Sequence, residues 1–291
     1  MAPPQPRRSM GPLIAIIGVV IIVVVAVLGY AVAGYAYAQG RLNSARSAYN
    51  SVVDHENKYT DAMNSFESKM TNGDLNTATT AQIQQKKTLV TQFVDASNQA
   101  QAQVDSDDSS LVKADGDLKA NSWLTVINKS DIDKASTRIN HMRNALADAK
   151  KVTTDYVQLG TFYESFYDVI LDEDAVGTAA QGQSLSGIAA AVAKLKTDAG
   201  KAIPLDNAPG LAPGMDAYLK DVQTIATDFT TLLDAAARGD QVGFDAADAA
   251  VQKDATKLDS YDFAKMDSTT QAFFKPLIDD FNSEVDKANN T

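Results

Sequence analysis

Hydrophobic positions in the first part of the chain recur at alternating steps of three and four residues. This spacing places apolar side chains on one face of a helix that packs against a partner. The positions are Leu42, Ala45, Tyr49, Val52, Glu56, Tyr59, Met63, Phe66 and Met70, and only Glu56 interrupts the apolar series. No proline occurs between Pro12 and Pro204, and a proline inside a helix costs about 3 kcal/mol. The pattern predicts one helix, or two nearly collinear helices, over residues 13–70, closed by the Thr-Asn-Gly-Asp sequence at 71–74.

The same spacing returns in two later segments. The second series is Ile83, Val90, Phe93, Ser97, Ala100, Val104, Leu111, Ala114 and Leu118, with Lys86 and Asp107 at two further positions of the same series. The third series is Ile132, Ala135, Ile139, Met142, Leu146, Ala149, Tyr156, Tyr163, Phe166 and Ile170. We therefore expect a long second helix and a long third helix, the third beginning after a turn at 128–131 with Ser130 as its N-cap.

Shorter helices are predicted in the rest of the chain. Residues 186–199 favour a helix closed by Gly200, and the three prolines and two glycines within 203–214 predict a linker. Helical spacing resumes at 215 and stops at the sequence Arg238-Gly239-Asp240. The last two helices are expected over 244–261 and 269–287, with Pro276 marking a kink or a later start in the second of them.

These elements predict an all-α protein. A single N-terminal transmembrane helix is followed by an elongated, antiparallel, coiled-coil-like bundle of six to eight helices, and no segment shows the pattern of a β-hairpin set. The predicted domains are a cytoplasmic tail at 1–12, an anchor at 13–38, a long-helix bundle at 39–202, the linker at 203–214 and a C-terminal helical unit at 215–291.

The anchor is predicted from an uncharged segment. Residues 9–40 carry no charged side chain, and residues 13–38 are almost entirely apolar. A helix needs about 20 apolar residues to span a bilayer, so this segment is long enough. Arg7 and Arg8 precede it and place the N-terminus in the cytoplasm, while Tyr30, Tyr35 and Tyr37 lie where an aromatic belt is expected at the outer face. The predicted partner of residues 13–38 is therefore the lipid bilayer of the cell membrane.

Two other interpretations of the same segment remain open. The Ala36-Tyr37-Ala38 sequence has the small residues of a signal-peptidase site, so cleavage after Ala38 would release a secreted protein. A pilin-like leader cut near Gly11 would instead make the chain a filament subunit, although Ile16 stands near the position where such proteins usually have glutamate. A retained anchor and a cleaved signal peptide both place residues 39–291 outside the cytoplasm.

The net charge and the absence of cysteine exclude some classes of function. The chain has 26 basic and 37 acidic side chains, a net charge of −11, and no cysteine. The acidic surface repels a phosphate backbone, so we predict no nucleic-acid partner. Without cysteine, disulfides and thiolate chemistry are excluded.

Motifs of catalysis and of cofactor binding are missing from the sequence. It contains neither a phosphate-binding Gly-rich loop nor a nucleophile elbow. Asp172, Asp174 and Gly177 match part of a calcium loop, but the glutamate that should close the loop is Gln183. His55 and His141 have no carboxylate at a spacing that suits a metal ligand set. We therefore predict no catalytic, cofactor-binding or metal-binding residues, no cofactor, and no enzymatic activity.

The aromatic segment at residues 156–170 has two interpretations. It holds five aromatic side chains, and the helical spacing of Tyr156, Tyr163 and Phe166 favours a bundle core. Alternatively, a ligand pocket lies between helices near Tyr156 to Tyr167, with tyrosine hydroxyl groups fixing a polar ligand. A second motif also has two interpretations. The sequence Arg238-Gly239-Asp240 matches an integrin-binding tripeptide, but it also suits the end of a helix.

Residues 48–66 contain Tyr49, Asn50, a Val52-Val53 pair and Ala62. In these residues the segment resembles the one that follows the anchor in LemA-family membrane proteins. The family's tryptophan after Ala62 is Met63 here, and its basic Leu-Ile-Pro stretch is absent. The resemblance implies an anchored helical ectodomain and implies no activity.

Taken together, these patterns predict a membrane-anchored extracytoplasmic scaffold or protein-interaction module of the cell envelope. Its expected partner is another envelope protein or a second copy of the chain. The alternative is a sensor-like ligand-binding bundle with the pocket near Tyr156 to Tyr167. A filament subunit and an envelope enzyme are further alternatives.

Overall fold

The computed structural model describes the backbone of residues 11–70, 78–261 and 266–291, and the side chains of residues 30–66, 78–261 and 269–291. Its α-helices are α1 (Gly11–Met70), α2 (Thr80–Lys119), α3 (Lys129–Gln181), α4 (Leu185–Ala202), α5 (Met215–Arg238), α6 (Gln241–Leu258) and α7 (Met266–Asn289). Short 3-10 helices lie at Ser122–Leu124, Val126–Asn128 and Ile203–Leu205. No strand occurs in the described ranges, so the all-α prediction is confirmed.

The start of α1 coincides with the predicted anchor at 13–38. The side chains of residues 13–29 lie outside the described part of the chain, as do residues 71–74, where the closing turn was predicted. Among the residues that are described, no helix has both the length and the apolar character needed to cross a membrane.

The inward face predicted for α2 from the second series is confirmed, including the two charged positions of that series. Every member of the series from Ile83 to Leu118 is buried except the half-buried Phe93, and Lys86 and Asp107 are as inaccessible as their apolar neighbours. Helical spacing therefore identified the inward face of α2 correctly even where the residue type argued against burial.

Several predicted helix ends were wrong by a few residues. The α3 helix begins at Lys129, because the 3-10 turn Val126–Asn128 runs directly into it, so Ser130 lies inside the helix and does not cap it. The N-cap of α4 is Ser184, whose Oγ accepts the Gly187 N–H at 3.1 Å. Gly200 does not close that helix, which continues to Ala202.

The last three helices also show how local sequence sets boundaries. Gly239 ends α5 with a φ of 67°, a left-handed conformation that glycine adopts without strain. Asp240 then caps α6 by accepting the Gly243 N–H at 3.0 Å. The Arg238-Gly239-Asp240 sequence thus forms the predicted helix stop, and its aspartate also caps the next helix. Pro276 lies inside α7, which begins before it.

The chain divides into two compact units. Unit 1 contains α1 up to Val53, the stretch from Asp107 to Arg143, and the end of the chain from Val285 to Thr291. Its last segment is fixed by polar contacts: the Tyr49 hydroxyl donates to Asn289 Oδ1 at 2.9 Å, and Arg138 Nε donates to the Ala288 carbonyl at 3.0 Å. Three residues of the first hydrophobic series are buried in this unit: Ala45, Tyr49 and Val52.

Unit 2 contains residues 54–106 and 144–284 and holds the main hydrophobic core. The core joins residues of α2, α3, α4, α5 and α7, with the fully buried rings of Phe162 and Phe166 among them. The segment predicted as a linker, residues 203–214, contributes Ala208 and Ala212 to this core. The domain boundaries predicted on either side of that segment are not tested and stay a prediction.

A glycine allows α3 and α2 to approach closely in unit 2. A Cβ atom placed on Gly160 would lie 2.4 Å from Val94 Cγ2 and 3.4 Å from the Phe93 ring. Valine has a stiff side chain, so Val94 cannot rotate away without strain. By contrast, a Cβ on Gly177 in the same helix would have no neighbour within 4 Å.

We expect Gly160→Ala to lower the free energy of unfolding by about 1–2 kcal/mol, because overpacking outweighs the better helix propensity of alanine. The control Gly177→Ala should raise stability by about 0.5–1 kcal/mol. In a Val94→Ala background, Gly160→Ala should become neutral or stabilising. Urea titration of the four variants measures these differences, and equal effects of the two glycine substitutions would contradict the close approach.

Candidate functional site

A cavity of about 560 Å³ lies within unit 2, between α3, α4, α5, α6 and the turn that follows α6. Its apolar walls come from Ile170, Val176, Leu195, Ile225, Phe229, Ala255 and Leu258. Its polar side chains are Glu173, Tyr218, Asp259 and Tyr261, and none of the described lining residues is basic. Apolar walls that meet a few polar groups are also found in small-molecule sites, and this cavity is partly open to solvent.

Helical spacing explains why Glu173 faces this cavity. Ile170, Glu173 and Val176 follow one another at steps of three along α3, so the carboxylate shares a face with two apolar residues. The residue as a whole keeps partial exposure, but its carboxyl group is enclosed. Burial raises the pKa of Glu173 to about 7, although a hydrogen bond from Tyr218 opposes the shift.

Tyr218 of α5 is the partner of this carboxyl group. Its hydroxyl donates to Glu173 Oε2 at 2.7 Å. Burial raises the pKa of Tyr218 well above its usual value, and the neighbouring Glu173 charge raises it further. Tyr218 therefore acts as a hydrogen-bond donor and is not a source of phenolate at physiological pH.

The ring of Tyr261 completes the polar side of the cavity. It meets the Tyr218 ring edge to face, with centroids 5.3 Å apart. The Tyr261 hydroxyl donates to Asp221 Oδ2 at 2.6 Å, and Lys257 Nζ lies 2.7 Å from the other oxygen of Asp221. Burial would raise the pKa of Asp221, but the bonds from Lys257 and Tyr261 outweigh it and hold that pKa below its usual value.

A second polar cluster ties α3 to α4. Lys194 Nζ lies 2.5 Å from Asp172 Oδ1 and 2.9 Å from Asp198 Oδ2, and Lys201 Nζ lies 2.7 Å from Asp198 Oδ1. Burial raises the pKa of Asp172, whose side chain is 5% exposed. Burial acts in the same direction on Asp198, but bonds from Lys201 and Lys194 prevail and lower its pKa to about 2. Each carboxylate is paired with a lysine and neither lines the cavity, so this cluster is an ion-pair network between two helices.

The aromatic segment predicted as a core or a pocket forms core. Phe162, Phe166 and Tyr167 are buried, and Tyr156 packs against Phe93 and Phe274 with centroids 5.1 and 4.3 Å away. The cavity begins one turn later at Ile170, so none of residues 156–167 lines it. This cavity therefore does not include the stretch from Tyr156 to Tyr167.

The weaker metal candidates do not come together. Asp172, Asp174 and Gly177 lie inside α3, where a helix cannot wrap around a calcium ion as a loop does. The His55 ring lies 3.1 Å from the Gln103 amide nitrogen. Within the part of the chain that the structure describes, no three metal-ligating side chains cluster.

Sequence reasoning missed the cavity because its polar residues come from separate segments. Glu173 and Tyr218 are 45 residues apart, and no local motif links them. One signal was present: an acidic residue on the apolar face of α3, between Ile170 and Val176, is unusual unless a partner compensates its burial.

Comparison with protein-family models, with curated proteins and with solved structures found no match for this chain.

Proposed function

We propose that this chain is a membrane-anchored helical scaffold of the cell envelope. Residues 13–38 cross the membrane, residues 1–12 lie in the cytoplasm, and residues 39–291 form an extracytoplasmic helical module. The module presents helix faces to another envelope protein or to a second copy of the chain. The uncharged segment and the preceding arginines support this orientation.

The observation that carries the proposal is the packing of residues 30–38 into unit 1. Ala38 is fully buried, and Asn121 Nδ2 donates to the Tyr37 hydroxyl at 2.7 Å. A Cβ on Gly34 would lie 2.2 Å from the Leu124 carbonyl oxygen, so the two backbones touch there. Cleavage after Ala38 would remove these contacts, which favours a retained anchor over a secreted protein.

The topology can be tested with single cysteines, because the chain has none of its own. A membrane-impermeant maleimide should label Ser283→Cys in intact cells, because residue 283 is exposed on α7. It should label the matched variant Ser9→Cys only after the cells are permeabilised. Labelling of Ser9→Cys in intact cells would contradict the orientation. A chain whose mass lacks residues 1–38 would show cleavage.

The scaffold role is tested by capture of the full-length anchored protein from its native membrane. Chemical crosslinking before solubilisation, followed by mass spectrometry, should recover one envelope protein or crosslinked copies of this chain in repeated preparations. Recovery of neither, together with a consistently bound small molecule, would overturn the scaffold role in favour of ligand binding.

Ligand binding is the second candidate function, and the cavity around Glu173 favours it. Apolar walls with carboxyl groups and no lining lysine or arginine among the described residues suit a ligand with an apolar body and a hydrogen-bond donor or positive charge. The cavity lies beyond the predicted stretch from Tyr156 to Tyr167 but on the same helix.

A variant that fills the cavity tests whether a small molecule binds there, which distinguishes ligand binding from the scaffold role. Ala255 lines the cavity, whereas Ala249 lies on an exposed position of α6 outside it. If a small molecule is bound, mass spectrometry of the extracted protein should find it on the native chain and on Ala249→Phe but not on Ala255→Phe. Equal retention by the two variants would place the molecule elsewhere.

A further inference from the structure

The connection between α2 and α3 carries an exposed apolar surface in unit 1. Its side chains Trp123, Val126 and Ile127 are 61%, 62% and 60% exposed, although they are large and apolar. Residues 120–128 contain no charge, and Lys119 and Lys129 stand at the two ends. We call residues 121–128 the apolar loop. Such a concentration of exposed apolar side chains marks a surface that another phase or molecule covers.

The apolar loop lies beside the end of the uncharged segment of α1. The Trp123 ring stacks on the Tyr30 ring with centroids 6.0 Å apart. Asn121 reaches Tyr37, and the Leu124 carbonyl contacts Gly34. The loop therefore lies at the level of residues 30–37 of α1, the last two turns of the predicted anchor.

The chemistry of this surface suits the boundary between lipid headgroups and acyl chains. Tryptophan and tyrosine concentrate at that depth, because their rings are apolar and their N–H and O–H groups remain hydrated. Lys119 and Lys129 are paired with Asp115 and Asp133 at 2.6 Å, so the charged groups nearest in sequence lie at the ends of the loop and none lies within it. Val32 and Tyr35 on α1 are exposed as well, but helical spacing places them on the side of α1 turned away from the face that contacts the loop.

We propose that the apolar loop inserts Trp123, Val126 and Ile127 into the outer headgroup region of the membrane that α1 crosses. This inference rests on the proposed anchor at 13–38, since it is the anchor that brings residues 30–37 to that depth. The loop would then hold unit 1 against the membrane surface through a second contact beside α1.

Trp123 supplies the test, because it is the only tryptophan in the chain. The full-length protein is reconstituted into phosphatidylcholine vesicles whose acyl chains carry bromine either near the headgroup or near the chain end. We expect the tryptophan emission to shift to shorter wavelength than in the unfolded chain. Headgroup-proximal bromine should quench it several-fold more strongly than bromine at the chain end.

A double variant changes the apolar loop but keeps Trp123, whose fluorescence is measured. Val126→Asp with Ile127→Asp should largely abolish the quenching, because two carboxylates do not enter the acyl boundary. Both side chains are exposed, so helix content by circular dichroism should not change. The control Val242→Asp, at a valine that is 82% exposed on α6, should leave the quenching as it is.

Flotation of the vesicles distinguishes a failure of the loop inference from a failure of the proposed anchor. If the protein floats but bromine does not quench Trp123, the loop inference is wrong and the anchor stands. If the protein does not float, both are wrong. Emission that shifts with protein concentration without bromine quenching would show that a second copy covers the loop, which also overturns insertion.

Discussion

Replacing Phe166 by alanine is expected to lower the free energy of unfolding by about 3–5 kcal/mol. The Phe166 side chain is fully buried at the centre of unit 2, and its ring packs against Phe162 at 5.8 Å and against Tyr218 at 5.8 Å. Alanine would leave a cavity where helices α3 and α5 meet, and the surrounding rings cannot fill it without leaving their own contacts. Urea titration followed by circular dichroism measures the loss.

The control is Phe273→Ala, which deletes the same ring from a position that is 41% exposed. Its cost should be about 1–2 kcal/mol, because a large part of the residue already contacts water. If Phe166→Ala cost no more than Phe273→Ala, the aromatic segment at 156–170 would not be core. The alternative interpretation of this segment as the lining of a ligand pocket would then be favoured.

The sequence predicted the long helices well because their signal is repeated many times. In α2, eleven positions at steps of three and four specify one inward face, so Lys86 and Asp107 could be placed correctly although each is charged. The prediction of 13–70 for α1 differs from the structure by two residues at its start. Periodicity sums weak preferences over many residues, and single exceptions do not change the result.

Helix ends were predicted less well because each depends on one or two residues. Ser130 and Ser184 are both serines near a helix start, yet only Ser184 accepts a hydrogen bond from the first turn. At Ser130 the preceding residues already form a 3-10 turn that merges with α3, so no N-cap is needed there. Sequence alone does not show which backbone conformation precedes a serine.

The candidate site could not be predicted as a unit, although one of its residues could have been noticed. Glu173 belongs to the acidic sequence at 172–174, in which Asp172 and Asp174 match part of a calcium loop. In the structure Asp172 pairs with Lys194, Glu173 bonds to Tyr218, and Asp174 is exposed. Three adjacent acids thus meet three different environments, because successive residues of a helix point about 100° apart.

Glu173 makes the stability of unit 2 depend on pH in an unusual direction. Its pKa is about 7 in the folded chain against an ordinary value of 4.5, with burial as the main cause. Below pH 4.5 the carboxyl group is protonated in both the folded and the unfolded chain. Between the two values the folded chain binds the proton more tightly, so stability falls as pH rises, and above pH 7 the loss is complete. A shift of this size corresponds to about 3 kcal/mol.

We therefore expect Glu173→Gln to gain stability relative to the native chain as pH rises. Glutamine stays neutral, and its side-chain oxygen can still accept the Tyr218 hydrogen bond. The difference between the two free energies of unfolding should move by about 3 kcal/mol in favour of the variant between acidic and neutral pH. The other shifted groups cancel in this difference, because both chains carry them. Denaturant titrations at a series of pH values measure it.

Tyr218→Phe provides the matched test of direction. The Tyr218 hydrogen bond lowers the pKa of Glu173 against the effect of burial, so its removal should extend the loss of stability to higher pH. In the Glu173→Gln background the same substitution should not change the pH profile, since no carboxyl group remains to respond. A constant difference between Glu173→Gln and the native chain at acidic and neutral pH would mean that water reaches the carboxyl group freely. The cavity would then be an open surface groove, and the case for a bound apolar ligand would lose its main support.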